Sequence, residues 1–393
     1  MNFQPLLSHQ TELFTTPYLR QITLEVLKVN GINLGQGVCL LPTPDFVIEA
    51  AHKAALEGHN RYSNPRGTLS MRKALAKKFE HFNGIKGLDP EQNILVTAGS
   101  TAGFEAVCGV LLNPGDEAIV FEPTYPYHIT ALKRYQANIK YLPLREPDWA
   151  FDFDAIRDAI TERTKIIVVN TPGNPHGKVV SREDLLTLAK ILEGTNVVVI
   201  ADEIYEYMAF DRPHVSAASL PELHDRTITV GGYSKTFSIT GWRIGFVALP
   251  SALSAHFASF LDFVYVCAPT PYQEAVAAAI EHFDDSFYTE LNAGYLRKRD
   301  HFAAGLRQIG LEPNVPQGAY YMICRFDKAF PNLTSLEFAQ RMIRETGVGS
   351  VPSNDFVREP EKAPWVRFCL AIGDEVIDAA LDRLAGLKPV AVG

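Results

Sequence analysis

Lys235 follows an apolar run, TITVGG (227–232), inside GGYSKTFSITGWRIG, and it lacks the charged company of a solvated face. A lysine on a polar loop is usually a surface residue, so this setting is unusual. Asp202 ends a second run, NVVVIAD (196–202), where an unpaired carboxylate is costly and a cationic partner is expected. Tyr205, three residues on, can reach the same pocket. Arg367 lies within the apolar segment WVRFCLAI, where a guanidinium requires an anion opposite, either a ligand or a structural ion pair.

Other runs end in comparable turns. NILVTAGSTAGFEAV passes from a strand through Gly99, Ser100 and Thr101 into a helix, placing free backbone N–H groups and a positive dipole end at a phosphate site. A tight turn that needs glycine is the alternative. EPTYPYH puts Tyr125 at a strand end, where its face can stack on a planar ring or pack in the core. NTPGNPHG presents Asn174 between constrained residues, or is simply a turn.

The elements that must position these residues follow from the alternation of short apolar runs with amphipathic stretches, which indicates a parallel sheet covered by helices. Five buried strands are read: 93–98, 117–122, 165–170, 196–202 and 227–232. In such sheets ligands gather at the carboxyl ends of the strands. SREDLLTLAKILEG is a helix capped by Ser181, with Asp184 three residues on and Gly194 at its end. From about 281 the pattern changes to a long amphipathic stretch, alternating strands and a last helix, as in a smaller α+β domain. A chain of 393 residues is too long for one ordinary core. The expected division is an arm and substrate loop (1–45), a large domain (46–280) and a small domain (281–393), without a flexible linker.

Composition narrows the function. A net charge of -8 argues against a nucleic-acid surface. No apolar run approaches a membrane span, and MNFQPLLSHQTELF lacks the plan of a signal peptide, so a cytoplasmic location is expected. The five cysteines are scattered among apolar neighbours and read as reduced core residues, and no zinc or iron spacing is present.

The order NPxG, ADExY, SKTF and GWRxG resembles the aspartate aminotransferase superfamily, the class I and II aminotransferases, over nearly the whole chain. NLGQGVCLLPTPDF is similar to the family's substrate loop, RYSNPRG to its partner-reaching tyrosine segment, and WVRFCLA to its carboxylate-binding strand. The resemblance implies an α/β fold with a mostly parallel sheet of about seven strands covered by helices, and a smaller α+β domain. It also implies pyridoxal 5'-phosphate as cofactor, amino transfer between an L-amino acid and a 2-oxo acid, and a homodimer with shared active sites. By that resemblance Lys235 carries the cofactor covalently through its amine, and Asp202 pairs with the pyridine nitrogen. Asn174 and Tyr205 bond the phenolic oxygen, and Tyr125 stacks on the ring. Ser100, Thr101 and Arg243 hold the phosphate, and Tyr62 reaches the partner's phosphate. Arg367 and Asn174 bind the substrate's α-carboxylate beside Gly37.

Two residues depart from the family pattern. Gly232 stands where many relatives have a phosphate-binding serine, which Ser234 can replace, and His176 stands where threonine or valine is usual. The same scaffold serves carbon–sulfur lyases, and aminotransferase-like regulators normally add a DNA-binding segment, where this chain has a short arm. NLGQG and APTPYQ lean toward neutral or aromatic amino acids, and no pattern identifies a second substrate-binding arginine.

Overall fold

The computed structural model describes residues 6–14 and 16–388. The helices are α1 (Tyr18–Lys28), α2 (Asp45–Leu56), α3 (Leu69–His81), α4 (Ser100–Leu111), α5 (Pro126–Arg134), α6 (Phe153–Ala159), α7 (Arg182–Leu192), α8 (Pro221–His224), α9 (Ser251–Tyr265), α10 (Thr270–His282), α11 (Asp285–Gln308), α12 (Ser335–Thr346) and α13 (Asp374–Leu384). The strands are β1 (Ile32–Asn33), β2 (Ile94–Thr97), β3 (Glu117–Glu122), β4 (Asn138–Pro143), β5 (Thr164–Asn170), β6 (Val198–Asp202), β7 (Thr227–Gly232), β8 (Gly245–Ala248), β9 (Glu312–Asn314), β10 (Tyr321–Arg325), β11 (Val348–Gly349), β12 (Val351–Pro352) and β13 (Trp365–Cys369).

Seven strands form one sheet in the order β2-β8-β7-β6-β5-β3-β4. Only β8 runs against its neighbours in it, pairing antiparallel with β2 and β7. All five apolar runs read from the sequence are strands of this sheet. The two that escaped notice have physical reasons to do so. β4 is a half-buried edge strand, NIKYLP, whose Lys140 reaches Glu117 at 2.7 Å, and β8 begins on the last glycine of GWRIG, with no separate turn to set it off.

Helices cover both faces. Leu185, Leu188 and Leu192 of α7 pack with Ile167 and Val199 on one face. Phe104 and Val107 of α4 pack with Ile166 and Ile200 on the other. Each such side chain contributes about 1.5–3 kcal/mol through removal from water. The start of α7 is the expected one: Ser181 and Asp184 form a reciprocal capping box, and Gly194 follows the helix with φ +74°.

A second sheet, β12-β13-β10-β9, is antiparallel and packs with α11, α12 and α13. Ile22 and Val26 of α1 are buried in that same core, so the arm belongs structurally with the chain's far end. A two-stranded parallel pair, β1 with β11, ties the two together.

Register then places the site. Asn170 lies opposite Asp202 and Asp202 opposite Val230, so the carboxyl ends of β5, β6 and β7 stand side by side. β13 lies across from them in the second sheet and carries Arg367.

Candidate active site

Between the two sheets lies a cavity of about 250 Å³ lined by Gly37, Ser100, Tyr125, Asn174, Asp202, Tyr205, Lys235 and Arg367. Eight residues read from distant parts of the sequence therefore meet in one place. Thr101 joins Ser100, Tyr125 and Asp202 in the wall of an adjoining cleft.

Lys235 is half-buried, and its Nζ donates to the Gly37 carbonyl at 3.0 Å. Burial pushes the amine below its ordinary pKa, and the Arg243 and Arg367 cations add to the effect against opposing contributions from Cys369 and Cys39. No carboxylate pairs with Lys235 among the described residues.

Arg367 is more deeply buried. Its Nη1 donates to Asn174 Oδ1 at 2.8 Å and its Nη2 to the Gly35 carbonyl at 2.9 Å, while Nε has no partner. The guanidinium lies over the Tyr321 ring at 4.1 Å and the Phe356 ring at 4.7 Å. No carboxylate pairs directly with this guanidinium among the described residues, Asp355 acting on it only through a longer-range attraction, which favours a ligand anion over the structural ion pair considered from sequence.

Asp202 meets an imidazole: His128 Nε2 lies 2.9 Å from Oδ2, and the Ile204 N–H reaches Oδ1 at 3.3 Å. His128 is stacked on Phe104 and edge-on to Tyr125, so its ring is fixed from two sides. The sequence reading had this histidine inside EPTYPYH without giving it a role. Its signal is local, since His128 lies three residues beyond Tyr125 in the first turn of α5, with its N–H bonded to the Tyr125 carbonyl.

The Tyr205 hydroxyl donates to Tyr321 Oη at 3.3 Å, and burial pushes both phenols above their ordinary range. Gly99 has φ +81°, and a Cβ there would stand 2.3 Å from Arg243 Nη2. Glycine thus lets the Arg243 guanidinium approach the N-terminus of α4. Arg243 itself takes φ +57° and donates to the Thr240 carbonyl at 3.1 Å.

Three expected site residues stand apart from the cavity. Ser234 is buried without lining it, Arg243 lies at the Gly99 turn outside it, and Tyr62 is 83% exposed. The two departures acquire local reasons. A Cβ at Gly232 would meet the Ile244 carbonyl at 2.8 Å and Gly245 Cα at 2.9 Å, so a serine does not fit this close strand crossing. His176 is buried beneath the Asn174 turn, where its Nδ1 accepts from the Lys178 N–H at 3.1 Å, and burial lowers its pKa to about 3. It is a neutral part of the turn.

The donor set fits pyridoxal phosphate part by part. A guanidinium and an amine without carboxylate partners among the described residues, a carboxylate held by imidazole, an aromatic face at Tyr125 and a helix N-terminus beside Arg243 are brought close together.

Comparison with known proteins agrees with this geometry. Residues 29–384 match the family model described as aminotransferase class I and II. The chain is 32% identical to kynurenine–oxoglutarate transaminase of Dictyostelium discoideum, covering 98% of this chain and 97% of that one. It is 30% identical to the methionine aminotransferase of Escherichia coli, covering 95% and 96%. Among solved structures, YbdL of Escherichia coli, for which a methionine aminotransferase function was identified, superposes with TM-score 0.93 at 28% identity, covering 97% and 99%. N-succinyldiaminopimelate aminotransferase of Mycobacterium tuberculosis gives TM-score 0.92 at 30% identity, covering 96% and 99%.

Proposed function

This chain belongs to the class I and II aminotransferases and is an aminotransferase, and from that premise we propose that Lys235 is the residue on which its cofactor is carried. The observation that carries the proposal is a desolvated amine with no carboxylate partner among the described residues, in one cavity with Asp202 and Arg367. Pyridoxal phosphate, the cofactor of this family, takes into its ring the negative charge left when an amino acid loses its α-proton.

The chain's own residues divide the remaining work. Asp202, oriented by His128, favours a proton on the ring nitrogen by charge pairing. Tyr125 offers its face to the ring, and Asn174 and Tyr205 offer side-chain donors. Ser100, Thr101, Arg243 and the first turn of α4 serve the phosphate, with Ser234 as a more remote contributor. Arg367 binds the α-carboxylate in a planar fork beside Gly37 and Asn174, orienting the Cα–H bond. Lys235 acts first as nucleophile and then as the base that moves the α-proton; both roles need a neutral amine, which burial favours.

The proposal extends to a cytoplasmic homodimer in which Tyr62 reaches the partner's site. It is supported by the exposure of Tyr62 and of Phe263, the latter 92% exposed, and by five unpaired cysteines. The division at 46 and 281 is part of the same reading, with the arm packed on the second sheet. For substrates, the kynurenine and methionine enzymes among the relatives, together with the Tyr127, Tyr321 and Phe356 rings in the cavity wall, support neutral and aromatic amino acids as donors.

Half-reactions test this: the holoenzyme is mixed with single amino acids, and the cofactor's absorbance is followed before and after a 2-oxo acid is added. Reversible bleaching by methionine or kynurenine is expected. Release of ammonia and a 2-oxo acid from a sulfur amino acid without amino transfer would instead indicate a lyase.

A further inference from the structure

We propose that Arg20 is a specificity residue that receives the distal carboxylate of a dicarboxylic 2-oxo acid while Arg367 holds the proximal one; this rests on the cavity being the site of amino transfer. The cavity has two cationic walls in addition to Lys235. Arg367 forms the deep one and Arg20, from α1, forms the outer one.

The helix that presents Arg20 is fixed at the correct place. Pro17 gives α1 no side-chain cap, and Asp355, far along the chain, supplies one instead. Its two oxygens accept the Tyr18 N–H at 3.1 Å and the Leu19 N–H at 2.9 Å. Ile22 and Val26 anchor the helix in the second core, and Asn33 Nδ2 bonds Thr23 Oγ1 at 3.0 Å. Arg20 is therefore delivered by a pinned element and not by a loose arm.

The carboxylates of the cavity are already engaged. Asp202 faces His128, and Asp355 faces the positive end of α1. The guanidinium of Arg20 makes no side-chain hydrogen bond or ion pair among the described residues, and neither does the side-chain amide of Gln36, which also lines the cavity. The first turn of α1 has no acidic side chain. Donors without acceptors at the outer wall are complementary to an anion. A neutral substrate side chain leaves exposed Arg20 hydrated and unperturbed, so the same site can take a neutral donor and an acidic acceptor in turn.

The test compares wild type with Arg20→Gln and Arg20→Lys as holoenzymes. The acceptors are 2-oxoglutarate and 2-oxohexanoate, an open-chain acid of similar length without the distal charge. Calorimetric binding of glutarate is measured alongside. Wild type is expected to prefer the dicarboxylate, and Arg20→Gln to lower kcat/KM for 2-oxoglutarate by about 10-fold or more while changing that for 2-oxohexanoate less than about threefold. Arg20→Lys should restore part of the preference, and added salt should weaken it in wild type. Equal kcat/KM ratios in wild type and Arg20→Gln, with amino transfer intact, would overturn the role of Arg20 and leave the proposed function standing. Absence of amino transfer in wild type, with glutarate binding still dependent on Arg20, would overturn the function and keep a carboxylate site.

Discussion

Lys78, buried, and Lys235, half-buried, both have amine pKa values lowered chiefly by desolvation, yet their surroundings differ in kind. Lys78, on α3, bonds Glu206 Oε1 at 2.5 Å, and Asn83 holds the other Glu206 oxygen at 2.8 Å. The Phe79 and Phe246 rings close around it at 4.7 and 5.3 Å. Glu206 also lies near Glu203 and His214 in a group of metal-ligating type, but the Lys78 ammonium already supplies its cation. Lys235 has a backbone carbonyl and, as its cationic neighbours, Arg243 and Arg367. Both amines are desolvated, but a matched counter-charge sets Lys78 apart as a structural lysine, and its absence is what supports the reactive role proposed for Lys235. The arginines repeat the contrast, since buried Arg299 pairs with Asp211 and Asp300 while Arg367 has only neutral acceptors.

The largest expected effect is at Lys235. Lys235→Ala should reduce kcat by about 10⁴-fold or more and abolish covalent cofactor retention, because one amine serves as nucleophile and base. Melting of the apoprotein should be nearly unchanged, as no ion pair is broken. A thermal loss like that of a Lys78 variant would break the comparison.

Lys78→Met should do the reverse. It leaves Glu206 buried without its cation, at a cost of about 3–5 kcal/mol, read as a lower Tm or denaturant midpoint. The double change Lys78→Met with Glu206→Gln should recover a large part of that loss. No recovery would mean that the aromatic packing, not the charge pair, dominates.

Arg367→Ala should lower kcat/KM for amino acids by roughly 30- to several-thousand-fold, corresponding to about 2–5 kcal/mol for a charge-assisted contact. Cofactor content should be retained, and the matching decarboxylated amine should lose little. Arg299→Gln should instead lower Tm with little change in substrate preference. A falling Tm without selective loss against carboxylated substrates would make Arg367 structural.

The smallest effect concerns pH. Burial and two cations disfavour the charged amine of Lys235, so its neutral form appears at lower pH than in a free lysine. The rate of cofactor attachment to apoprotein should rise with pH and level off below the ordinary lysine range. The sign for stability is the same: between the lowered folded pKa and the unfolded value, the unfolded chain binds more protons, so the folded apoprotein gains stability as pH rises. Arg367→Gln should move the attachment midpoint upward, because one repelling cation is removed. An unchanged midpoint would leave desolvation and Arg243 as the causes.

The contrast also separates what the sequence could and could not reveal. Lys235, Asp202 and Asn174 were legible because each ends or follows an apolar run, and Arg367 because it interrupts one. The partner of Asp202 was expected as a cation of unknown identity; His128 lies 74 residues earlier, and only the sheet brings the two together. Asp355 and its contact with Tyr18 are 337 residues apart, so neither residue signals the other. Arg20 lacks any local mark because its role depends on where α1 docks. The edge strand β4 lacked the apolarity that made the other strands visible, and β8 begins within the GWRIG segment without a turn to mark its start.

The most direct measurement is borohydride reduction of the holoenzyme followed by proteolysis and mass mapping of the cofactor adduct. The account predicts label on the peptide containing Lys235 alone, with Lys78 unmodified. Label on Lys78 or any other lysine, with none on Lys235, would contradict it.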